Sequence, residues 1–159
     1  MNVSFGSVKS IYICASAGEP MKSISSVRAI QNKGLAGDRY CDGLGFWQTQ
    51  KNSRESIRHV SFIKSSDIEG SGFDESETRR NIIINTDINL LSLIGKKFLV
   101  GNVLFEGVED CTPCKRPSQL SGKPNFNIVF KNTGGLRAKV LSDGIVNVGD
   151  WCTREDSNL

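Results

Sequence analysis

The stretch CTPCKRP, residues 111–117, sets Cys111 and Cys114 three positions apart, with Lys115 and Arg116 directly after the second thiol. Pro113 and Pro117 stiffen the segment around it. Three chemistries use cysteines in this way. A CxxC that closes a strand and opens a helix in a βαβ unit is a redox disulfide. A CxxC joined by a second pair of ligands is half of a structural zinc site. A single thiolate beside cations is a nucleophile or a soft ligand, because positive neighbours favour thiolate over thiol. The plain alternative is that both thiols pack as small apolar groups at a strand end.

The rest of the chain weighs these readings. Pro117 disfavours helical geometry at Arg116, which argues against the redox helix. Cys14, Cys41 and Cys152 stand alone and His59 is the only histidine, so a zinc site would have to gather scattered ligands. Arginines supply the other candidate chemistry. Arg79 and Arg80 precede the apolar run NIIIN, and Arg39 lies in the glycine-rich GLAGDRY. A guanidinium near exposed backbone amides suits a phosphate or a fused polar ring; the plain reading is arginines flanking a strand on the surface. Asp38 is expected to pair with Arg39 or to end a turn, and His59 reads as an ordinary strand histidine. No serine sits in a nucleophile-elbow pattern, and GNVLFEG lacks the Lys-Ser/Thr end of a phosphate loop.

The elements that must position these residues are short. Val8–Ala15, Ser25–Ile30 and Arg58–Ile63 read as strands, and residues 34–45 as an irregular glycine-dense segment. Ser65-Ser66-Asp67 caps a short helix ending at Gly70, and a polar loop follows to Glu77. Residues 79–85 read as a buried strand, and Asp87 as the cap of a helix closing at Gly95. Residues 96–110 split at Gly101-Asn102 into two extended pieces, and Asn125–Lys131 reads as a short helix. Leu136–Leu141 and Ile145–Val148 flank Ser142-Asp143-Gly144 as a hairpin, and Asp150–Thr153 forms a last strand. The pattern is mainly β with small helices, a barrel or sandwich.

Composition sets the outer bounds. A chain of 159 residues, 38% apolar and 23% charged, suits one domain with a real core, placed here over residues 1–153 with a polar tail over 154–159. Its net charge of +3 is too mild to imply nucleic acid. No apolar run approaches the roughly 20 residues that span a bilayer, so no membrane partner is expected. The N-terminal segment lacks a secretory pattern, which predicts a cytoplasmic protein whose five cysteines stay reduced.

Four segments, in order, resemble the MOSC domain, named for the C-terminal domain of molybdenum-cofactor sulfurase: GLAGDRY (34–40), RRNIIIN (79–85), LIGKKFLVGNVLFEGVEDCTPCKRP (93–117) and GLRAKVLSDGIVNVGDWCT (135–153). The resemblance implies a MOSC-type β-barrel. It implies that Cys114 is the catalytic cysteine, carrying sulfur as a persulfide or binding molybdenum in the molybdenum cofactor (molybdopterin). Arg79 and Asn81 fall on the family's Arg-x-Asn, with Arg79 the first choice for the cofactor's anionic or pterin part; Arg39, Lys115, Arg116 and Arg137 are additions. Relatives that mobilise sulfur carry a pyridoxal-phosphate domain, and reducing relatives usually carry an extra N-terminal β domain; neither is expected in this chain. A cysteine-desulfurase-type sulfur donor or an external electron donor would then be its partner. The resemblance implies a sulfur carrier or sulfurtransferase first and a molybdenum-dependent reductase of N-hydroxylated compounds second. A non-catalytic module that binds an anion or a protein is the third reading.

Overall fold

The computed structural model describes residues 2–43 and 59–155. Leu44, Gly45 and Arg58, and residues 156–159 of the polar tail, lie outside them. The strands are β1 (Asn2–Ile13), β2 (Lys22–Ile24), β3 (Ser26–Ile30), β4 (Gly34–Leu35), β5 (Val60–Lys64), β6 (Ile82–Thr86), β7 (Lys97–Val100), β8 (Val103–Asp110), β9 (Leu136–Val140), β10 (Gly144–Asn147) and β11 (Trp151–Glu155). Among the described residues, three short helices join them: α1 (Ser65–Ile68), α2 (Arg116–Ser121) and α3 (Phe126–Val129). Seven strands close a barrel in the order β1, β11, β7, β8, β9, β5, β6 and back to β1, with β2 appended to the end of β1. β3, β4 and β10 form a separate small sheet. The fold is mainly β with small helices, as the strand pattern predicts.

The run NIIIN shows how the sequence enforces this arrangement. β5 and β6 are parallel and paired Phe62–Ile82 through Lys64–Ile84. Successive side chains of a strand point to opposite faces. Ile82 and Ile84 therefore enter the barrel core with Phe62, Phe98 and Phe105. Ile83 points outward, yet it is just as buried, because it joins Ile63, Ile68, Phe73, Phe126 and Phe130 beneath α3. A continuous apolar run is what a strand covered on both faces requires. Each cluster holds aromatic pairs that meet edge-on, Phe62 to Phe105 at 5.3 Å and Phe73 to Phe126 at 5.2 Å.

β1 is longer than its apolar half suggests. Its polar first half pairs with β11 and its second half with β6 and then β2. The handover occurs at Gly6, where the register shifts and a Cβ would collide with Asn85 and Thr86. No side-chain pattern announces that exchange.

Three expectations are corrected. β9 and β10 do not form a hairpin: β9 lies between β8 and β5, and β10 pairs with β3. The corner between them is captured by other segments. Ser142 Oγ accepts from Leu104 N–H at 2.9 Å and Asp143 Oδ1 from Gln31 N–H at 2.7 Å. The turn at Leu90–Leu93 is a 3-10 turn capped by Asn89, whose side chain accepts from Leu91 N–H, and Asp87 is not its cap. The strand after Arg79-Arg80 starts only at Ile82, because Arg79 takes the left-handed conformation (φ 62°) that ends a 3-10 turn at Ser76–Thr78.

Gly135 fixes the entry to β9. It adopts φ 107°, a Cβ there would collide with the Phe62 carbonyl, and its own carbonyl accepts from Cys111 N–H at 2.8 Å. Gly135→Ala is expected to cost about 3 kcal/mol or more, from backbone strain together with overpacking. A urea midpoint equal to that of the unaltered protein would contradict this.

Candidate functional site

One end of the barrel gathers the start of β5, the residues before β6, the end of β8 and the start of β9. An open cleft there is lined by Cys111, Cys114, Tyr40 and Asn81 and by five arginines, Arg39, Arg79, Arg80, Arg116 and Arg137. Residues distant in sequence thus converge on Cys114.

The two cysteines of the CxxC are unequal. Both are free thiols, but Cys111 is buried and Cys114 is partly exposed on the cleft. The Cys114 sulfur accepts from Arg116 N–H at 3.4 Å. The segment after it does turn into a helix, contrary to the expectation drawn from Pro117. Lys115 is already αR, and Pro117 stands in the first turn of α2, where its missing N–H leaves no gap in the hydrogen bonding. What separates this from a redox motif is the preceding strand, which belongs to an antiparallel ladder of the barrel and not to a βαβ unit. Among the described residues, no three histidine, cysteine or acidic side chains cluster as metal ligands.

Arg80 holds the cysteine loop. Its Nε donates to Gly134 O at 2.7 Å, Nη2 to Cys111 O at 3.2 Å and Nη1 to Thr78 O at 3.3 Å. One buried guanidinium therefore ties the segment before β6 to the end of β8 and the entry to β9. Sequence reasoning selected Arg79 and passed over Arg80; the adjacent arginines offer no signal that separates them.

Arg79 takes a different path. Its Nη1 donates to Glu19 O at 2.6 Å, and Nη2 approaches the Cys14 sulfur at 3.7 Å. Burial, reinforced by the nearby Arg39 cation, pushes the pKa of Arg79 down. It thus straps the segment between β1 and β2 across the cleft, where Gly18 also lines the wall. Cys14, unforeseen as a site neighbour, is buried with its sulfur 2.8 Å from Ser16 O.

Asp38 and Arg39 form a buried ion pair at 3.2 Å, as the sequence suggested. Asp38 also accepts from Cys14 N–H at 3.0 Å and Tyr40 N–H at 3.3 Å, and Arg39 lies over the Tyr40 ring at 4.5 Å. Burial raises the Asp38 pKa against the pull of these donors. Arg137 pairs with Glu109 at 3.2 Å, directly across the β8–β9 ladder.

Asn81 lines the cleft, but its polar atoms serve the barrel. Oδ1 accepts from Ser61 N–H at 3.0 Å, and Nδ2 donates to Tyr12 O at 3.1 Å. Lys115 is exposed and is not among the lining residues. His59 accepts from Val140 N–H through Nδ1 at 3.1 Å, and burial lowers its pKa, so it acts as a neutral structural acceptor.

The arginine-bearing segment is itself anchored. Glu75 accepts from Ser10 Oγ at 2.7 Å and Tyr12 Oη at 3.0 Å, and pairs with Lys9 at 2.7 Å. Glu77 pairs with Lys123, between α2 and α3, at 2.6 Å.

A closed, mainly β barrel with a cysteine among arginines at one end is the class of protein that fold and site define. Residues 50–153 match the MOSC domain, and the chain belongs to the MOSC domain family, a molybdenum-cofactor-related family. The barrel resembles the YuaD protein of Bacillus subtilis, with a TM-score of 0.78 and 15% identity over 96% of each chain. It also resembles YiiM of Escherichia coli (TM-score 0.68, 13% identity, 96% of this chain and 71% of that one). A third likeness is to YiiM of Geobacillus stearothermophilus (TM-score 0.61, 12% identity, 96% of this chain and 74% of that one). At such identities the likeness is one of fold. No curated protein matches the chain.

Two predictions follow from the anchors. Arg80→Met leaves three buried carbonyls without their donor and is expected to cost about 3 kcal/mol or more in urea unfolding; a loss within experimental error would refute the clamp. The second concerns Tyr12 and Glu75. Burial, then the Glu75 carboxylate, push the Tyr12 pKa up to about 12. Burial acts to raise the Glu75 pKa, but the hydrogen bonds from Lys9, Ser10 and Tyr12 outweigh it and hold it below the usual value. The Glu75 contribution is full above the unfolded carboxyl pKa, about 4.3, and is lost as pH falls through the folded value. The Tyr12 contribution is full below the unfolded phenol pKa, about 10, and is lost as pH rises toward the folded value. Stability should therefore fall at the alkaline end, and Tyr12→Phe should flatten that fall when urea midpoints are measured against pH.

Proposed function

We propose that Cys114 is the working thiolate of a sulfur carrier in molybdenum-cofactor metabolism. The observation that carries this reading is a partly exposed thiol on an open cleft lined by five arginines. Cys111 is buried beside it, with its carbonyl and N–H engaged by Arg80 and Gly135, which leaves Cys114 as the accessible sulfur.

Cys114 takes part in a thiolate exchange. Its sulfur attacks the outer sulfur of a cysteine persulfide on a donor protein of the cysteine-desulfurase type. The donor S–S bond breaks, a new S–S bond forms at Cys114, and the donor leaves as a thiolate. Sulfur and its oxidation level pass together, so no further oxidant or reductant is consumed. Arg116 contributes its N–H to the sulfur.

The same residues fit the molybdenum cofactor. Arg79 and Arg80 bond to carbonyls and to the Cys14 sulfur, with no carboxylate in ion-pair contact among the described residues. These two guanidinium groups thus keep their positive charge among the described residues, as an anionic ligand requires. Arg79, Arg39, Arg116 and Arg137 would hold the phosphate and pterin, and Cys114 would face the metal as a soft ligand. When bound, the cofactor supplies a redox-active metal that accepts sulfur ligands. Reduced thiols suit a cytoplasmic location, and no helix among the described residues is long and apolar enough to cross a membrane.

The test is mass spectrometry of the protein after incubation with a cysteine desulfurase and free cysteine. The peptide holding Cys114 should gain the mass of one sulfur atom and lose it on reduction. Cys114→Ser should abolish the gain, whereas Cys111→Ser should keep it. Sulfur loading that survives Cys114→Ser would overturn the assignment.

A further inference from the structure

α3 buries one face and leaves the other to solvent. Phe126 opens it and Phe130 follows its last residue, and both are fully buried in the cluster beneath. Ile128 and Val129 fall between them and are 66% and 43% exposed. A surface helix ordinarily presents polar side chains on its outer face. β-branched residues are weaker helix formers than Lys, Glu or Gln, so neither packing nor helix propensity accounts for this pair. Leu120, on α2, is exposed as well.

These helices adjoin the Cys114 cleft. α2 starts two residues after Cys114, and its Arg116 and Pro117 line the cleft. Ser118 Oγ then accepts from Phe126 N–H at 2.9 Å, which fixes the start of α3 to α2. The Arg80 guanidinium lies over the Phe126 ring at 5.7 Å. Ile128 and Val129 are within one helical turn of Phe126.

The charge around them has one sign. Between Asp110 and Asp143 the chain has six lysines and arginines and no acidic residue, so the segment that carries both helices is purely cationic. Lys123 is neutralised by Glu77 at 2.6 Å, with Asp74 at 4.0 Å. Lys115 and Lys131, which flank the two helices in the chain, are exposed and form no ion pair among the described residues.

We propose that the outer face of α3, with Leu120 and the flanking lysines, is where the sulfur-donor protein docks. This rests on the sulfur-carrier reading of Cys114. Exchange between two protein thiols brings the surfaces around them into contact. Even a transient interface covers about 600 Å² a side, a disc of roughly 14 Å radius, so a donor seated over Cys114 reaches the adjoining helices. The face sets the chemistry of its partner: an apolar patch to cover Ile128 and Val129, bordered by carboxylates opposite Lys115 and Lys131.

The experiment compares two sulfur donors. Loading of Cys114 is followed by mass spectrometry, with the host's cysteine desulfurase and free cysteine in one arm and glutathione persulfide in the other. The small donor transfers the same outer sulfur and leaves as the glutathione thiolate, but needs no docking surface. Ile128→Ser is expected to slow loading from the desulfurase about tenfold and Lys131→Glu about threefold, as for a lost interface contact and a reversed rim charge. The Lys131→Glu effect should vanish in about 0.5 M salt, where such charges are screened. Both variants should load from glutathione persulfide at the unaltered rate. Equal rates for all three proteins with the desulfurase would overturn the docking face and leave the carrier reading in place. Slowing in both arms would overturn it too, as damage to the cleft itself. Loading from neither donor would overturn the carrier reading and this inference with it. A dimer that Ile128→Ser dissociates, seen by sedimentation, would assign the face to a second copy of the chain instead.

Discussion

A buried cation needs acceptors, and Arg80 finds them only where three separate segments converge. Gly134, Cys111 and Thr78 belong to the entry to β9, the exit of β8 and the approach to β6. The exit of β8 and the entry to β9 are already laddered together there, and the guanidinium adds the approach to β6 to that pair. The guanidinium is a three-way joint, and its planarity sets the angles at which the segments leave it. Cys114 hangs from one arm of that joint and Arg79 from another. The cleft is thus a consequence of how one side chain solves its desolvation problem.

Around that joint the charges are sorted by role. Asp38 and Glu109 neutralise Arg39 and Arg137 across short ion pairs. Arg79 and Arg80 are satisfied by neutral groups and keep their field. A carbonyl hydrogen-bonds a guanidinium without cancelling its charge, so geometry and electrostatics are set independently. That separation lets a rigid wall remain positive toward whatever enters it.

Much of this was legible in the sequence, for identifiable reasons. Alternation and β-branching marked most strands. The split at Gly101-Asn102 marked the β7–β8 hairpin, and NIIIN announced a strand buried on both faces. The adjacent cations and the family resemblance drew attention to Cys114, which lines the cleft. What was not legible depended on tertiary partners. Leu136–Val148 has the turn chemistry of a hairpin, but its two strands are claimed by different sheets. Pro117 reads as a helix breaker until the first turn of α2 is placed on it. Asn81 looks like a ligand residue, while its amide bridges β5 and β1. Cys14 sits near Arg79 only because the left-handed residue redirects that arginine.

The pairing of β1 with β11 carries a consequence for biosynthesis. Asn2 registers with Glu155, so the barrel's first strand is completed by its last. Emerging from the ribosome, β1 can meet β2 and later β6, but the side that β11 will cover stays an open edge until β11 has emerged. β7 waits in the same way on its far side. The seam closes only after residues near 155 have left the exit tunnel, so ring closure is a late event of high contact order. A nascent chain stalled before β11 would present two strand edges to its neighbours, and a shielding chaperone would matter most in that interval.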